Sequence, residues 1–328
     1  MKQSLVSILI PAYNREEFIG ECIESALVQT FTNIEIVVVD NASTDKTWEI
    51  CQQFAAKDHR VRVFQNDTNI GPVRNWLACV TQARGEYVKI LWSDDLIHPG
   101  FLEKMLPYLE DPCVGFVYSS AHIIGTDKSN VVAEYFRNIK TGFYPSQQYV
   151  NGALLSGDFP VSPGCAIFRT ADVRSNLLLH VPNRVHSDFS MHAIGNDLLL
   201  FLLTATVYPK FAIVNEPLAY FRAHATSISI SAPTGKIPLH YDLAKGFFAE
   251  RYLKDEKIIR KLNVEFRIHL LRYKGAPFGI KALKDFYPTK AYSGIDLSYL
   301  AGRLLGAFKK KAVKFLKFAK YRKAATPW

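Results

Sequence analysis

The sequence predicts an α/β fold, a mostly parallel central sheet flanked by helices, followed by a C-terminal helical extension. Three observations predict it. Strand-like and helix-like segments alternate four times within the first hundred residues, a pattern that builds a parallel sheet with right-handed crossovers. The apolar runs end in polar loops at Asp40, Asn69 to Asn75, and Asp94/Asp95, so these loops are expected on one rim, facing one crevice. From Asp242 to Leu271 the apolar residues recur at helical intervals.

Val6-Ser7-Ile8-Leu9-Ile10 reads as a first strand, apolar nearly throughout because helices cover both faces of such a sheet. Pro11-Ala12-Tyr13-Asn14 breaks it, and Asn14 is placed to cap the next helix with Glu17 at the third helical position. Phe18, Ile19, Cys22, Ile23, Ala26 and Leu27 recur at helical spacing. Ile34 to Val39 is a second strand, running into Asp40-Asn41-Ala42-Ser43-Thr44-Asp45, with a helix to about Lys57 behind it. Val61 to Gln65 is a third strand, Asn66 to Gly71 a loop, and Pro72 to about Ala83 a helix. Tyr87-Val88-Lys89-Ile90-Leu91-Trp92-Ser93-Asp94-Asp95 is a fourth strand ending in two adjacent carboxylates. Paired carboxylates at such a rim are hard oxygen ligands, suited to Mg²⁺ or Mn²⁺ and hence to a diphosphate. Taken alone, the pair reads more readily as a strand end before a capped helix with Pro99 near its first turn; the residues upstream reverse that balance.

Composition narrows the classes. With 48% hydrophobic and 21% charged residues, the chain has the make-up of a globular protein with a real core. Its 328 residues suit two domains of about 150 residues, or one large α/β domain with an appendage. Cys22, Cys51, Cys79, Cys113 and Cys165 are odd in number and lack a Cys-x-x-Cys pair, which excludes a disulfide framework and a zinc site. They read as small buried hydrophobes in a reducing compartment. Strand-like sequence begins at Leu5, so no signal peptide is expected, and the apolar run Leu198 to Tyr208 is shorter than the about 20 residues a membrane span needs. The net charge of +10 is concentrated in the tail, where nine Lys/Arg and no Asp/Glu follow from Arg303 onward.

Four ordered blocks resemble the motifs of family 2 glycosyltransferases of the GT-A fold, whose central sheet is Rossmann-like. Val6-Ser7-Ile8-Leu9-Ile10-Pro11-Ala12-Tyr13-Asn14-Arg15-Glu16 is similar to the family's opening motif. Gln29-Thr30-Phe31 and Glu35 to Asp45 resemble the second block, Asn69-Ile70-Gly71-Pro72-Val73-Arg74-Asn75 the third, and Ser93-Asp94-Asp95 the DxD-type metal motif. The resemblance implies a GT-A domain over residues 1–236, with a nucleotide-binding half (1–120) and an acceptor-binding half (121–236), and a helical extension over 237–328. It implies a nucleotide-sugar donor. Asp40 would grip the imide N–H of uracil or thymine, with Pro11, Ala12 and Tyr13 lining the same pocket and Asn14 and Gly71 beside it. Arg74 would meet the base or the diphosphate, a planar contact that suits arginine. Ser93 and Asp94 would sit by the ribose and sugar, and Asp95, with Asp94, would hold Mn²⁺ or Mg²⁺ on the diphosphate.

The second half is less regular. Gly115 to Ser119 reads as a strand, Thr126 to Gly157 as an acceptor-facing loop, and Pro163 to Arg169 as a segment resembling the family's strand under the acceptor site. Two carboxylates compete as catalytic base, Asp188 and Asp197. Asp197 is favoured because its distance to Glu216-Pro217-Leu218 resembles the family's spacing from base to that later motif, and because the apolar helix behind it would raise its pKa above the usual ~3.9. Tyr220 to Ser229 resembles the family's closing motif, with Arg222 and His224 suited to a diphosphate or a third metal position.

The reading that follows is an inverting, metal-dependent transferase acting on a glycan acceptor, expected to be lipid-linked and part of surface polysaccharide assembly. The Gln-x-x-Arg-Trp motif and membrane spans of processive synthases are not found, which favours single addition. Leu305, Phe308, Ala312, Phe315 and Ala319 alternate with lysines as in a basic amphipathic helix, so the enzyme is expected in the cytoplasm, peripheral on the inner face of the membrane through an anionic lipid surface. No nucleic-acid module is visible, and nucleic acid is not an expected partner. The alternative is a non-catalytic GT-A module that holds nucleotide or glycan in an assembly complex. A nucleotidyltransferase is disfavoured because Pro11-Ala12-Tyr13-Asn14 stands where a Gly-rich phosphate loop would be.

Overall fold

The computed structural model describes residues 4–125 and 130–306. Its first part follows the expected alternation: β1 (Val6–Ala12), α1 (Ile19–Leu27), β2 (Ile34–Asp40), α2 (Thr47–Lys57), β3 (Val61–Gln65), α3 (Pro72–Gln82) and β4 (Tyr87–Ile90). A short β5 (Leu96–Ile97) and α4 (Phe101–Met105) lead to β6 (Val114–Ile124), β7 (Val131–Tyr135) and β8 (Gly142–Pro145). Then come α5 (Ser146–Leu154), β9 (Ala166–Arg169), α6 (Thr170–Asn176), α7 (Phe189–His192), α8 (Asn196–Val207) and β10 (Lys210–Arg222). After β10 come α9 (Ile228–Ser231) and then the helices of the extension, α10 (Lys236–Tyr252) and α11 (Glu256–Arg272).

The strands join in one sheet ordered β3-β2-β1-β4-β9-β6-β10-β5, with β7 on β6 and β8 on β10. From β3 to β4 every pairing is parallel. Beyond β4 the sheet is mixed: β6 and β10 are parallel, while β9, β5, β7 and β8 run antiparallel to their neighbours. Residues 125–130 alone separate β6 from β7, too few for the crossover a parallel pairing needs. β1 and β2 are buried at every position, as cover on both faces requires. The run expected to be too short for a membrane span is α8, buried from Asn196 to Ala205. A helix apolar on all sides belongs in a core. Among the described residues no helix is long and apolar enough to cross a membrane.

Several local expectations change. Asn14 does not cap α1: it takes a positive φ of 49° and its side chain accepts from the Thr44 amide at 2.9 Å, while α1 begins only at Ile19. The loop after β2 thus captures the carboxamide that a helix end would have used. The stretch expected as an acceptor loop contains β7, β8 and α5. Helix runs from Lys236 but breaks at residues 253–255, where Asp255 caps α11 through the Lys257 amide. Cys113 is exposed, while the other four cysteines are buried. The amphipathic helix expected after Leu305 lies, beyond residue 306, outside the described residues.

The extension shares its core with the sheet. Leu239, Leu243, Phe247, Leu262 and Phe266 belong to the same buried cluster as the strands. Ser156 donates to the fully buried Glu265 of α11 at 3.2 Å, and the Arg303 and Tyr299 side chains reach the same carboxylate. α10 crosses the start of α8 closely because Gly195 has no side chain. A Cβ at Gly195 would lie 2.7 Å from the Ala244 Cβ, and its φ of 107° is one that glycine tolerates. Gly195→Ala is expected to destabilise the fold by about 1–3 kcal/mol, read as a lower urea midpoint at unchanged slope.

Candidate active site

The loops at the C-terminal ends of the strands enclose a cleft of about 760 Å³. β1 contributes Pro11, Ala12 and the following Tyr13 and Arg15. The turn after β4 brings Trp92, Ser93, Asp94 and Asp95, and the start of α8 brings Asp197. Phe221 and Arg222 end β10 against the same space. Acidic groups far apart in sequence therefore meet in one cavity, of a size typical of small-molecule sites.

Asp94 and Asp95 have different surroundings. Asp94 Oδ2 lies 2.9 Å from His224 Nε2 and 3.4 Å from Arg15 Nε. His224 Nδ1 is 2.9 Å from the Thr226 hydroxyl, and its ring packs on Phe18. Asp95 is 6% exposed, and its Oδ1 accepts from the Arg222 amide at 2.9 Å. Burial, then the neighbouring Asp94 charge, drive the Asp95 carboxyl well above the usual carboxylate range. Beneath them Lys89 is fully buried in β4, donating to the carbonyls of Ile90 and Gly164, over the Phe101 ring at 4.8 Å. Burial lowers its pKa to about 8.

Asp197 sits in the first turn of α8. Its Oδ1 accepts from the Gly195 and Leu198 amides at 3.0 and 2.8 Å, and its Oδ2 from the Tyr241 hydroxyl at 2.7 Å. Burial pushes its pKa up to about 6, against the downward pull of these bonds. Asp188, the competing carboxylate, is exposed and caps α7 through the Ser190 amide at 3.0 Å, and it does not line the cleft.

Other expected residues stand off the wall, or, like Arg222, line it while turning the charged group away. Asp40 is fully buried at the end of β2, its oxygens accepting from the Ser43 amide and hydroxyl and from Gln65. Its neighbour Asn41 lines the cleft instead, bonded to Asn66 and Asn69, and Asn75 donates to the Val39 carbonyl. Gly71 lies against α7 with a φ of 84°, where a Cβ would meet Met191 Sδ at 2.7 Å. Arg74 reaches the Ser190 hydroxyl at 2.9 Å rather than the cavity. The Arg222 guanidinium turns to Glu21 and stacks over Phe18, with its buried Nε unpartnered. Asn14 and His224 also lie outside the lining.

Residues without an expected role have joined the site. Arg15 belonged to a quoted motif, and a lysine within an otherwise apolar strand was the visible signal for Lys89. Tyr241 left no signal, since helical spacing says nothing of which carboxylate a tyrosine will meet.

Residues 7–175 match the family described as Glycosyl transferase family 2. A stretch of 107 residues, 33% of this chain, is 36% identical to glycosyltransferase GlyG of Streptococcus pneumoniae and covers 36% of that protein. Chondroitin synthase of Escherichia coli is 41% identical over 118 residues, 35% of this chain and 17% of its own length. The matches thus span little more than a third of these relatives at most. Among solved structures, residues 1–349 of S. aureus TarS in complex with UDP-GlcNAc share the fold with a TM-score of 0.62 at 19% identity, over 83% of this chain and 74% of that one.

Proposed function

This chain belongs to glycosyl transferase family 2 and has the GT-A fold, and on that premise we propose that it transfers a sugar from a UDP- or dTDP-sugar to a glycan hydroxyl with inversion. The observation that carries the proposal is the single cleft shared by Asp94, Asp95 and Asp197. Asp197 takes the proton of the acceptor hydroxyl. The freed oxygen attacks the anomeric carbon from the face opposite the nucleoside diphosphate, and the bond to the diphosphate oxygen breaks. One displacement inverts the centre, and the proton rests on Asp197 Oδ2.

A divalent cation, Mn²⁺ or Mg²⁺, fits the acidic pair. Burial and the Asp94 charge leave Asp95 short of positive partners, which a dication relieves. Among the described residues no three His, Cys, Asp or Glu converge as a cage, so phosphate oxygens and water would complete the shell around Asp94 and Asp95. When bound, the ion neutralises charge developing on the departing diphosphate. His224 and Arg15 orient Asp94 from two sides. The base rests against Pro11, Ala12, Tyr13 and Asn41, and Asp40 reaches an imide N–H only in exchange for a bond to Ser43 or Gln65.

The acceptor is a growing, lipid-linked polysaccharide. The lysine-rich sequence after Arg303 supports attachment at an anionic inner membrane face, and the chondroitin synthase match supports a polysaccharide product. A melting-temperature screen of the full chain against nucleotide sugars tests the donor. A UDP or dTDP compound with Mn²⁺ is expected to add about 2.7 kcal/mol at about a hundredfold excess over its Kd, with the gain lost in EDTA. No shift with any uridine or thymidine nucleotide would sink the proposal.

A further inference from the structure

Tyr241 stands on α10, in the stretch set apart from the sequence as an extension, yet it lines the cleft beside Asp197. Ile237, one turn earlier on the same helix face, lines it too. The Asp197 carboxylate has its two oxygens committed differently. Oδ1 is saturated by two backbone amides of its own helix start. Oδ2 is the oxygen left to receive a proton, and the Tyr241 hydroxyl at 2.7 Å sets its direction.

We infer that Tyr241 is a positioning residue, which holds the Asp197 carboxylate toward the acceptor, so that the helical extension completes the catalytic site. The inference deepens the transferase reading and rests on Asp197 being its base.

The placement of α10 is firm enough to act this way. Leu239, Leu243, Ala244 and Phe247 of the same helix are buried, and the bare Gly195 admits Ala244 at the start of α8. Any tilt of α10 away from α8 would lengthen the bond to Asp197. Tyr241 is also a dependable donor: burial and the Asp197 charge push its hydroxyl well above the usual phenol range, so it keeps its proton at working pH. A neutral hydroxyl bound to a carboxylate makes one of the stronger hydrogen bonds.

Tyr241 further opposes the cost of burying the Asp197 charge. Tyr241 from α10 and Tyr149 from α5 act on Asp197 directly, and Arg15, Asp94, Asp95 and Arg222 share its cleft. Tyr149 gives its hydroxyl to the Pro160 carbonyl at 2.7 Å, which leaves Tyr241 as the side chain bonded to the carboxylate. Its bond lowers the Asp197 pKa, so its removal raises it.

The test titrates Asp197 in the full chain, labelled with ¹³C at the aspartate carboxyls. The Asp197 signal is the one lost in Asp197→Asn. Tyr241→Phe is expected to raise the Asp197 midpoint by about one pH unit. With the donor retained by the screen, kcat at neutral pH falls while the donor KM holds, which a general loss of structure would not produce. Replacing Tyr241 with 3,5-difluorotyrosine keeps the ring and strengthens the donor, so the midpoint moves down; this arm carries the test if the Phe variant does not fold. A midpoint unmoved by the replacement overturns the inference. Full transfer by Asp197→Asn would instead overturn the choice of base, and so separates the two failures.

Discussion

Asp197→Asn is expected to lower turnover by about 10²–10⁴-fold, the range that one positioned general base supplies, while donor binding stays at the wild-type level. The amide keeps the volume and can still accept from the Gly195 and Leu198 amides, but it takes no proton. With Asp197 as the proposed base, turnover is expected to need the ionised carboxylate, so the rate is expected to fall at pH values under the Asp197 pKa of about 6, and this acid limb to be absent from the residual rate of the variant. The same pKa bears on stability. Because the folded-state value lies above the ordinary ~3.9, the native chain holds this proton more tightly than the unfolded chain does, and ionising Asp197 costs the fold about 3 kcal/mol at neutral pH. That cost is full above about pH 6 and fades toward pH 4. The variant is therefore expected to melt no lower than wild type at neutral pH. Scanning calorimetry beside a pH–rate profile checks both halves, and a variant that is fully active or grossly unfolded contradicts them.

Asp95→Asn has the second large effect, on the other wall of the cleft. Donor binding in the variant is expected to lose its dependence on Mn²⁺, and kcat/KM to fall by about 10³-fold or more, matching the several kcal/mol a bound dication contributes. The amide oxygen can still accept from the Arg222 backbone, so the turn and β10 should stay in place. Loss of one of two crowded carboxylates also removes repulsion from Asp94. Titration calorimetry of UDP with and without Mn²⁺ reads the effect, and undiminished Mn²⁺ dependence would move the cation elsewhere.

Much of this architecture is legible in the sequence, for local reasons. Val61 to Gln65 and Ile34 to Asp40 are bounded by polar loops and rich in Val and Ile, which leaves one reading. Asp94, Asp95 and Asp197 follow or precede apolar runs, which places them at element ends and therefore at the rim. Side-chain direction was not legible where the partner is remote. Arg222 turns to Glu21, 201 residues earlier, and Arg74 to Ser190, 116 residues later. Asp40 is held partly by Gln65 on the adjacent strand, and Asn14 by Thr44. Each case is a choice between a local and a distant hydrogen bond, which local spacing cannot decide. β7 and β8 were missed because edge strands with exposed Val131, Val132 and Phe143 carry little of the burial pattern that marks a strand.

One uninterrupted core from β1 to α11 sets a rule for anyone cutting or recombining this chain. A chain stopped at residue 236 would bare the apolar flank of α8 to water and strip Asp197, the proposed base, of its phenol partner, so it would make a poor minimal version of the proposed transferase. Chimeras that exchange acceptor preference with a relative must carry α10 along with the segment that precedes it, because the two were shaped against each other around a glycine.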